Sequence, residues 1–163
     1  YQAEIWNPQT GTWTLAATGV RTRLYHSVAI LLPDATVLVS QDDMDFSAAA
    51  AFQHKAQVYS PPYLFRGPQP VITNAPAAAR LGQTFAVTTD RPGMATAMLV
   101  APGATTHGND MHQRAVKLAV VPSAQGLQVT LPTSAGVVPP GYYMLFVLDS
   151  EGIPSVAKFV HIS

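Results

Sequence analysis

Four side chains of this sequence could do chemistry because of their type and setting. Tyr25 and His26 are adjacent, and His107 and His112 share one long stretch between two apolar runs. Neutral imidazole binds copper, zinc, iron and nickel, so these histidines predict a metal site without naming the metal. The sequence contains no cysteine, which excludes thiolate zinc sites, disulfides and a cysteine nucleophile within the 163 residues.

The adjacent pair Tyr25 and His26 poses a geometric problem for a shared metal. Successive side chains of a regular strand point to opposite faces of the sheet. The two could share a metal only where the loop 21–24 turns into the strand that begins near Ser27. The alternative is a tyrosine packed in the core beside a histidine hydrogen-bonded at a strand end.

His107 lies in the stretch 102–114, which is longer than a hairpin between the two flanking apolar runs requires. Long connections of this kind are often functional. The alternative is a solvated loop histidine, and His112 has no better claim than that.

Other kinds of site are not indicated. The sequence has no glycine-rich phosphate loop, no His-Glu-x-x-His and no Gly-x-Ser-x-Gly. Asp42, Asp43 and Asp45 lack the spaced partner series of a calcium loop, which favours a solvated acidic turn. No pair of carboxylates can be picked out for glycoside hydrolysis.

Composition predicts a packed domain without nucleic-acid or membrane partners. Hydrophobic residues make up 48% and charged residues 11%, with nine basic and nine acidic side chains and no cluster of either sign. A balanced charge gives no electrostatic footprint for nucleic acid or an anionic membrane. No apolar run approaches the roughly 20 residues of a spanning helix.

Short runs separated by proline and glycine predict an all-β fold. The spacing of these runs is that of a sandwich or barrel, and Pro33-Asp34 marks a hairpin between the apolar runs 28–32 and 36–39. Residues 1–59 read as the last blade segment of a propeller, in which 47–52 form a loop or, as the alternative, a helical turn. A single blade leaves apolar faces uncovered, so we expect neighbouring blades.

The prolines of residues 60–67 predict a stiff linker, and residues 68–163 predict an immunoglobulin-like β-sandwich. Leu127, Val129 and Leu131 alternate with polar residues, which gives their strand one wet face. The predicted strands of this domain are 84–88, 96–100, 115–120, 127–131, 142–148 and 155–162.

Four groups of residues, in order along nearly the whole chain, carry a family resemblance. They are 23–27 with 31–34, 58–65, 104–107 with 113–114, and 140–147 with 152–155. At these residues the chain resembles the galactose oxidase and glyoxal oxidase family of copper-radical oxidases. Because residues 1–4 read as the interior of a domain, we expect a C-terminal fragment of such a protein.

The resemblance implies a kelch propeller followed by an immunoglobulin-like (early-set) domain, one loop of which delivers a histidine to copper. Tyr25 would be the axial ligand and the base that accepts the proton of the substrate hydroxyl. His26 and His107 would be the two equatorial imidazole ligands. Ala35 departs from the family, which often has glycine after the Pro-Asp turn.

The family chemistry oxidises a primary alcohol or aldehyde and reduces oxygen to hydrogen peroxide. It needs a second tyrosine, cross-linked to a cysteine, which carries a radical. With no cysteine here, the resemblance implies that this tyrosyl radical comes from the upstream remainder of the propeller. The resemblance also implies a small alcohol, aldehyde or carbohydrate substrate, and secretion.

Two other functions stay open on the residues alone. The sandwich could be a non-catalytic module that binds carbohydrate or protein, with the histidines incidental. It could also cap a propeller that has lost catalysis.

Overall fold

The structure, a computed structural model, describes residues 2–20, 23, 26–40 and 56–163. Tyr25, the acidic residues Asp42, Asp43 and Asp45, and the predicted loop 47–52 lie outside the described residues. His26, His107, the predicted sandwich 68–163 and parts of the predicted blade segment 1–59 lie within them.

The N-terminal part contains a two-stranded hairpin and a three-stranded antiparallel sheet of order β3-β4-β5. Its strands are β1 (Gln2–Asn7), β2 (Thr12–Thr18), β3 (Val28–Leu31), β4 (Val37–Ser40) and β5 (Gln57–Tyr59). Strands β3 and β4 coincide with the predicted apolar runs 28–32 and 36–39, which are separated by turn residues. Their membership of a kelch propeller stays a prediction.

The predicted hairpin between β3 and β4 has an unusual residue at its turn. Asp34 Oδ1 accepts hydrogen bonds from the backbone N–H of Thr36 (3.0 Å) and from its hydroxyl (2.6 Å), which lowers the pKa of Asp34. Ala35 has a φ of 65°, in the left-handed region. A glycine would meet no steric penalty there, which explains why glycine suits this position in the family that the chain resembles.

Two sheets pack face to face in the C-terminal part, with orders β12-β9-β15-β16-β7 and β13-β14-β8-β6. Neighbouring strands are antiparallel except β16 and β7, which are parallel. The strands are β6 (Ile72–Asn74), β7 (Ala78–Ala79), β8 (Thr84–Thr89), β9 (Met94–Val100), β12 (Ala115–Lys117), β13 (Ala119–Ser123), β14 (Gly126–Thr130), β15 (Gly141–Asp149) and β16 (Lys158–Ile162). The predicted all-β sandwich is confirmed.

The core lies between the inner faces of the two sheets. Leu127 and Val129 are fully buried there, while Gln128 between them is exposed, as the alternation predicted. Leu99 and Leu145 fill the centre of the opposite sheet. The buried Tyr143 donates its hydroxyl to the backbone O of Pro139 (2.8 Å), which satisfies its only polar side-chain atom.

The prediction of a single strand over 115–120 is wrong, because two strands of different sheets cover this range. The chain leaves the five-stranded sheet after Lys117 and joins the four-stranded sheet at Ala119. Leu118 lies between them, 3% exposed, with its backbone N–H bonded to the O of Ala97 (2.9 Å). Lys117 is the only polar residue of 115–120, so the run has no regular alternation that fixes one face, and its sequence does not reveal the crossing between sheets.

The predicted strand 155–162 begins only at Lys158. Ser155 is buried in a turn beside β15, where its N–H donates to the backbone O of Val147 (2.8 Å). Its Oγ accepts a hydrogen bond from the N–H of Val147 (3.1 Å). These bonds hold Ser155 out of the β16 ladder.

The β3–β4 turn packs against the outer face of the five-stranded sheet. Ala35 joins Met144 and Phe146 in a second apolar cluster, with Tyr63 from a short 3-10 helix (Pro62–Phe65) at its edge. The N–H of Ala157 donates to the O of Pro33 (2.8 Å). These contacts fix β3 relative to the sandwich.

Among the residues that the structure describes, no helix combines the length and apolarity needed to cross a membrane.

Tyr63→Phe should change how stability depends on pH. The Tyr63 hydroxyl donates to the O of Ala35 (2.7 Å), and burial, with smaller effects of Tyr59 and Asp34, raises its pKa to about 12. A pKa raised above the usual tyrosine value of about 10 stabilises the fold below pH 10, and this stability is lost between pH 10 and 12. In Tyr63→Phe that alkaline decline should become smaller, at a cost of about 1 kcal/mol near neutral pH.

Urea unfolding between pH 8 and 12 measures this effect. Burial also raises the pKa of Tyr143, so part of the decline should remain in Tyr63→Phe. Tyr142→Phe is the control, because Tyr142 is an exposed tyrosine. An identical alkaline decline in Tyr63→Phe and in the unaltered protein would contradict the assignment.

Candidate metal centre

His107 lies at the tip of a small hairpin that projects from the sandwich. Strands β10 (Thr105–Thr106) and β11 (Asn109–Asp110) are joined by His107 and Gly108, whose φ angles are 53° and 74°. Two central residues with positive φ are the mark of the type I′ turn that suits the twist of paired strands. The predicted long loop 102–114 is therefore ordered around a tight turn that carries His107.

Asp110 and Arg114 brace the base of this hairpin. Asp110 Oδ1 accepts hydrogen bonds from the backbone N–H of Ala104 and of His112, both at 2.9 Å. The Arg114 guanidinium donates to the backbone O of residues 136 and 137 at 2.9 and 2.7 Å. The Asp110 bonds close the base of the hairpin, and the Arg114 bonds connect the segment that follows it to the loop 136–137 of the sandwich.

The hairpin lies along the start of β3. A Cβ at Gly103 would lie 3.0 Å from Ile30 Cγ1, so the Ile30 side chain packs closely against this glycine. At the tip, a Cβ on Gly108 would lie 4.0 Å from the O of Ser27. His107 therefore lies next to the residues that precede β3.

The imidazole rings of His26 and His107 meet edge to face. Their centroids are 4.6 Å apart and their planes are inclined at 81°. His26 is half-buried in a turn two residues before β3, and His107 is exposed at the hairpin tip. Two imidazoles from distant parts of the chain therefore share one location, where each is a donor that suits copper.

Thr106 and Asp110 are site residues that the sequence analysis missed. The Thr106 hydroxyl and His107 Nδ1 are 2.7 Å apart and hydrogen-bonded. One signal was available: a His-Gly pair between Thr-Thr and Asn-Asp fits a two-residue type I′ hairpin loop. No local sequence pattern, however, indicates a hydrogen bond between the Thr106 hydroxyl and the His107 ring.

Of the other predicted candidates, His112 is exposed at the base of the hairpin and does not join this pair. Tyr25 lies outside the described residues. Within the described ranges, no group of three or more His, Cys, Asp or Glu side chains could hold a metal. Among the described residues, His26 and His107 could thus supply two imidazole donors to copper, and the site would require at least one further ligand.

A cleft of about 270 Å³ opens beside the hairpin base, between the sandwich and the end of β3. Leu31, Gly103, Asp110 and Arg114 are among its lining residues, whereas His26 and His107 are not. The histidine pair and the cleft are separate features.

Comparison with known proteins decides the family. Residues 69–162 match the family described as "Galactose oxidase-like, Early set domain", and this range covers the sandwich. The chain belongs to the galactose oxidase-like family. The early-set form of the immunoglobulin-like fold that the resemblance implied is thereby confirmed.

Relatives of this galactose oxidase-like chain include two named enzymes. The aldehyde oxidase GLOX of Vitis pseudoreticulata is 33% identical over 88% of this chain and 31% of its own length. The galactose oxidase of Gibberella zeae is 28% identical over the whole chain and 25% of its own length. The chain therefore spans between a quarter and a third of the length of these two relatives.

A solved structure extends the similarity to the N-terminal strands. It is described as a "novel fungal alcohol oxidase with catalytic diversity among the AA5 family, in complex with copper". It matches with a TM-score of 0.91 and 32% identity over 99% of this chain and 36% of its own. The two named relatives are oxidases, and the solved structure is an alcohol oxidase in complex with copper. The domain limits 1–59, 60–67 and 68–163 stay predictions.

Proposed function

We propose that this chain is the C-terminal part of a copper-radical oxidase that oxidises a primary alcohol or an aldehyde. In the alcohol reaction, one alcohol and one O₂ give one aldehyde and one H₂O₂. The observation that carries the proposal is the edge contact of His26 with His107, between the turn before β3 and the hairpin of the sandwich. The copper-bound structural relative supports it.

In this proposal the metal ligands of the chain are Tyr25, His26 and His107. The two imidazoles and one phenolate are donors that copper accepts. When bound, copper supplies Lewis acidity toward the substrate hydroxyl and one-electron redox chemistry. The phenolate oxygen of Tyr25 takes the proton of that hydroxyl, and the braced hairpin holds His107 in place.

The second redox equivalent comes, in this proposal, from a tyrosine cross-linked to a cysteine in the upstream part of the protein. The 163 residues contain no cysteine, so the cross-link cannot form within them. The upstream coding sequence tests this point directly. If it encodes no cysteine and tyrosine in the propeller, the radical mechanism is wrong.

The upstream part also explains an exposed apolar face on the β1–β2 hairpin. Trp13 is 65% exposed and Leu15 63%, and the rings of Trp6 and Trp13 lie 6.4 Å apart. Monomeric proteins rarely leave such faces open. We propose that upstream blades cover this face, because the relatives are three to four times longer than the chain.

The isolated chain should therefore associate with itself. In light scattering, we expect its apparent mass to rise with concentration, and the double variant Trp6→Gln, Trp13→Gln should stay closer to 17.3 kDa. Val121→Gln, which changes an exposed apolar residue of the sandwich, is the control. A clean monomer at every concentration would contradict the proposed contact.

Secretion belongs to the same proposal, and recovery of the intact protein from the culture medium tests it.

Copper titration followed by electron paramagnetic resonance tests the proposed site. We expect a signal with nitrogen splitting that saturates at one copper per chain, because the fold already holds the His26 and His107 rings together. If only the intact protein gives this signal, the upstream blades complete the site. If the intact protein gives neither this signal nor peroxide with primary alcohols and aldehydes, the non-catalytic binding module is favoured.

A further inference from the structure

The hydrogen bond between Thr106 and His107 bears on which ring nitrogen can bind a metal. A neutral imidazole has one N–H and one lone pair, and a metal takes the lone pair. Nδ1 of His107 lies 2.7 Å from Thr106 Oγ1. Either group can be the donor in this contact. If Nδ1–H donates, the lone pair is on Nε2, and if the hydroxyl donates, the lone pair that accepts is on Nδ1.

We propose that Thr106 is a positioning residue for His107: its Oγ1 accepts the Nδ1–H and so places the lone pair on Nε2. Metal-bound histidines almost always donate their second N–H to an acceptor, which fixes both tautomer and ring orientation. Here a hydroxyl on the neighbouring residue is that acceptor. This inference rests on the proposed function, in which His107 is a copper ligand.

The setting of Thr106 suits this role. The threonine is the last residue of β10 and pairs with Asn109 across the hairpin, so its backbone is fixed. Its β-branched side chain has restricted rotation about χ1, which keeps the hydroxyl in one place. His107 is exposed at the tip. A local bond to an anchored hydroxyl restricts the rotation of the ring on that tip.

The adjacent Thr105 provides a matched control. Successive side chains of a strand point to opposite faces, so its hydroxyl is directed away from the side that carries the Thr106 hydroxyl. Thr105→Val and Thr106→Val remove the same group one residue apart, and valine keeps the β-branched shape. Thr106→Ser keeps the hydroxyl and serves as the conservative variant.

The first test is the tautomer of His107 in the metal-free chain. Nitrogen-15 NMR of the full 163-residue chain with labelled histidine, at an alkaline pH where imidazoles are neutral, reports which nitrogen carries the proton. We expect Nδ1–H in the unaltered protein, in Thr105→Val and in Thr106→Ser, and a loss of this preference in Thr106→Val. An Nε2–H tautomer in the unaltered protein would overturn the proposal.

The second test is copper affinity, measured by the same resonance titration. Loss of an outer partner of a metal-bound histidine typically weakens binding about 10- to 100-fold, which we expect for Thr106→Val. Thr106→Ser and Thr105→Val should bind as the unaltered chain does. Unchanged affinity and tautomer in Thr106→Val would overturn the positioning role. If His107 has the Nδ1–H tautomer and the intact protein, with its upstream part, also binds no copper, the proposed function is contradicted instead.

Discussion

His107→Ala should abolish the nitrogen-split copper signal, and His26→Ala should do the same. The two imidazoles share one location, with ring centroids 4.6 Å apart, so each variant removes one of two donors that the described residues offer. Loss of an outer partner alone costs about 10- to 100-fold in affinity. Loss of a ligand should therefore weaken copper binding by more than about 100-fold.

Two controls separate loss of a ligand from a change in the fold. At the φ of 53° found for His107, asparagine is better tolerated than alanine, so His107→Asn removes the imidazole with less strain. His112→Ala removes an exposed histidine from the base of the same hairpin and should leave the signal unchanged. Titration by paramagnetic resonance, with circular dichroism to show that each variant is folded, measures both.

The outcomes discriminate between the candidate functions. If His112→Ala abolishes the signal and His107→Ala does not, the proposed ligand set is wrong. If the signal weakens equally in every histidine variant, the copper is bound without a defined site. The second result would favour the non-catalytic module.

Gly126→Ala should be the most destabilising single change in the sandwich. Gly126 begins β14 beside β8 and has a φ of 138°. A Cβ there would lie 2.0 Å from the O of Val87 and 3.1 Å from the Cα of Thr88. Both are backbone atoms of a paired strand, which cannot move aside as a side chain can.

We expect Gly126→Ala to lower the free energy of unfolding by at least about 4 kcal/mol, since strain and a backbone clash add. That is a large part of the roughly 5–15 kcal/mol that stabilises a typical domain. Urea unfolding of the variant measures the loss.

Gly141→Ala provides a control for backbone strain alone. Gly141 has a φ of 154°, and a Cβ there would meet no atom within 4 Å. Its substitution should cost about 1–3 kcal/mol, the range for a residue held in a sparsely populated conformation. Equal losses in the two variants would show that the contact with β8 contributes nothing.

The sequence by itself determined the fold class and most of the strands. Alternation at 127–131 placed Leu127 and Val129 inside, and Pro33-Asp34 marked a real hairpin turn. These features depend on residues that are close together in the chain. In a strand, side chains alternate between two faces, so the alternation of apolar and polar residues can be recognised in the sequence. The chain also pointed to His26 and His107, while their role as ligands came from the family resemblance and stays a prediction.

Only the tertiary structure decided what lies next to what. The crossing at Leu118 depends on a space between the two sheets, and the contact of His26 with His107 depends on how the β3–β4 turn packs on Met144 and Phe146. Such distances come from packing between segments far apart in the chain, so no local pattern encodes them. The hydrogen bond between Thr106 and His107 joins neighbours in sequence, yet it forms at a left-handed turn that belongs to the folded hairpin.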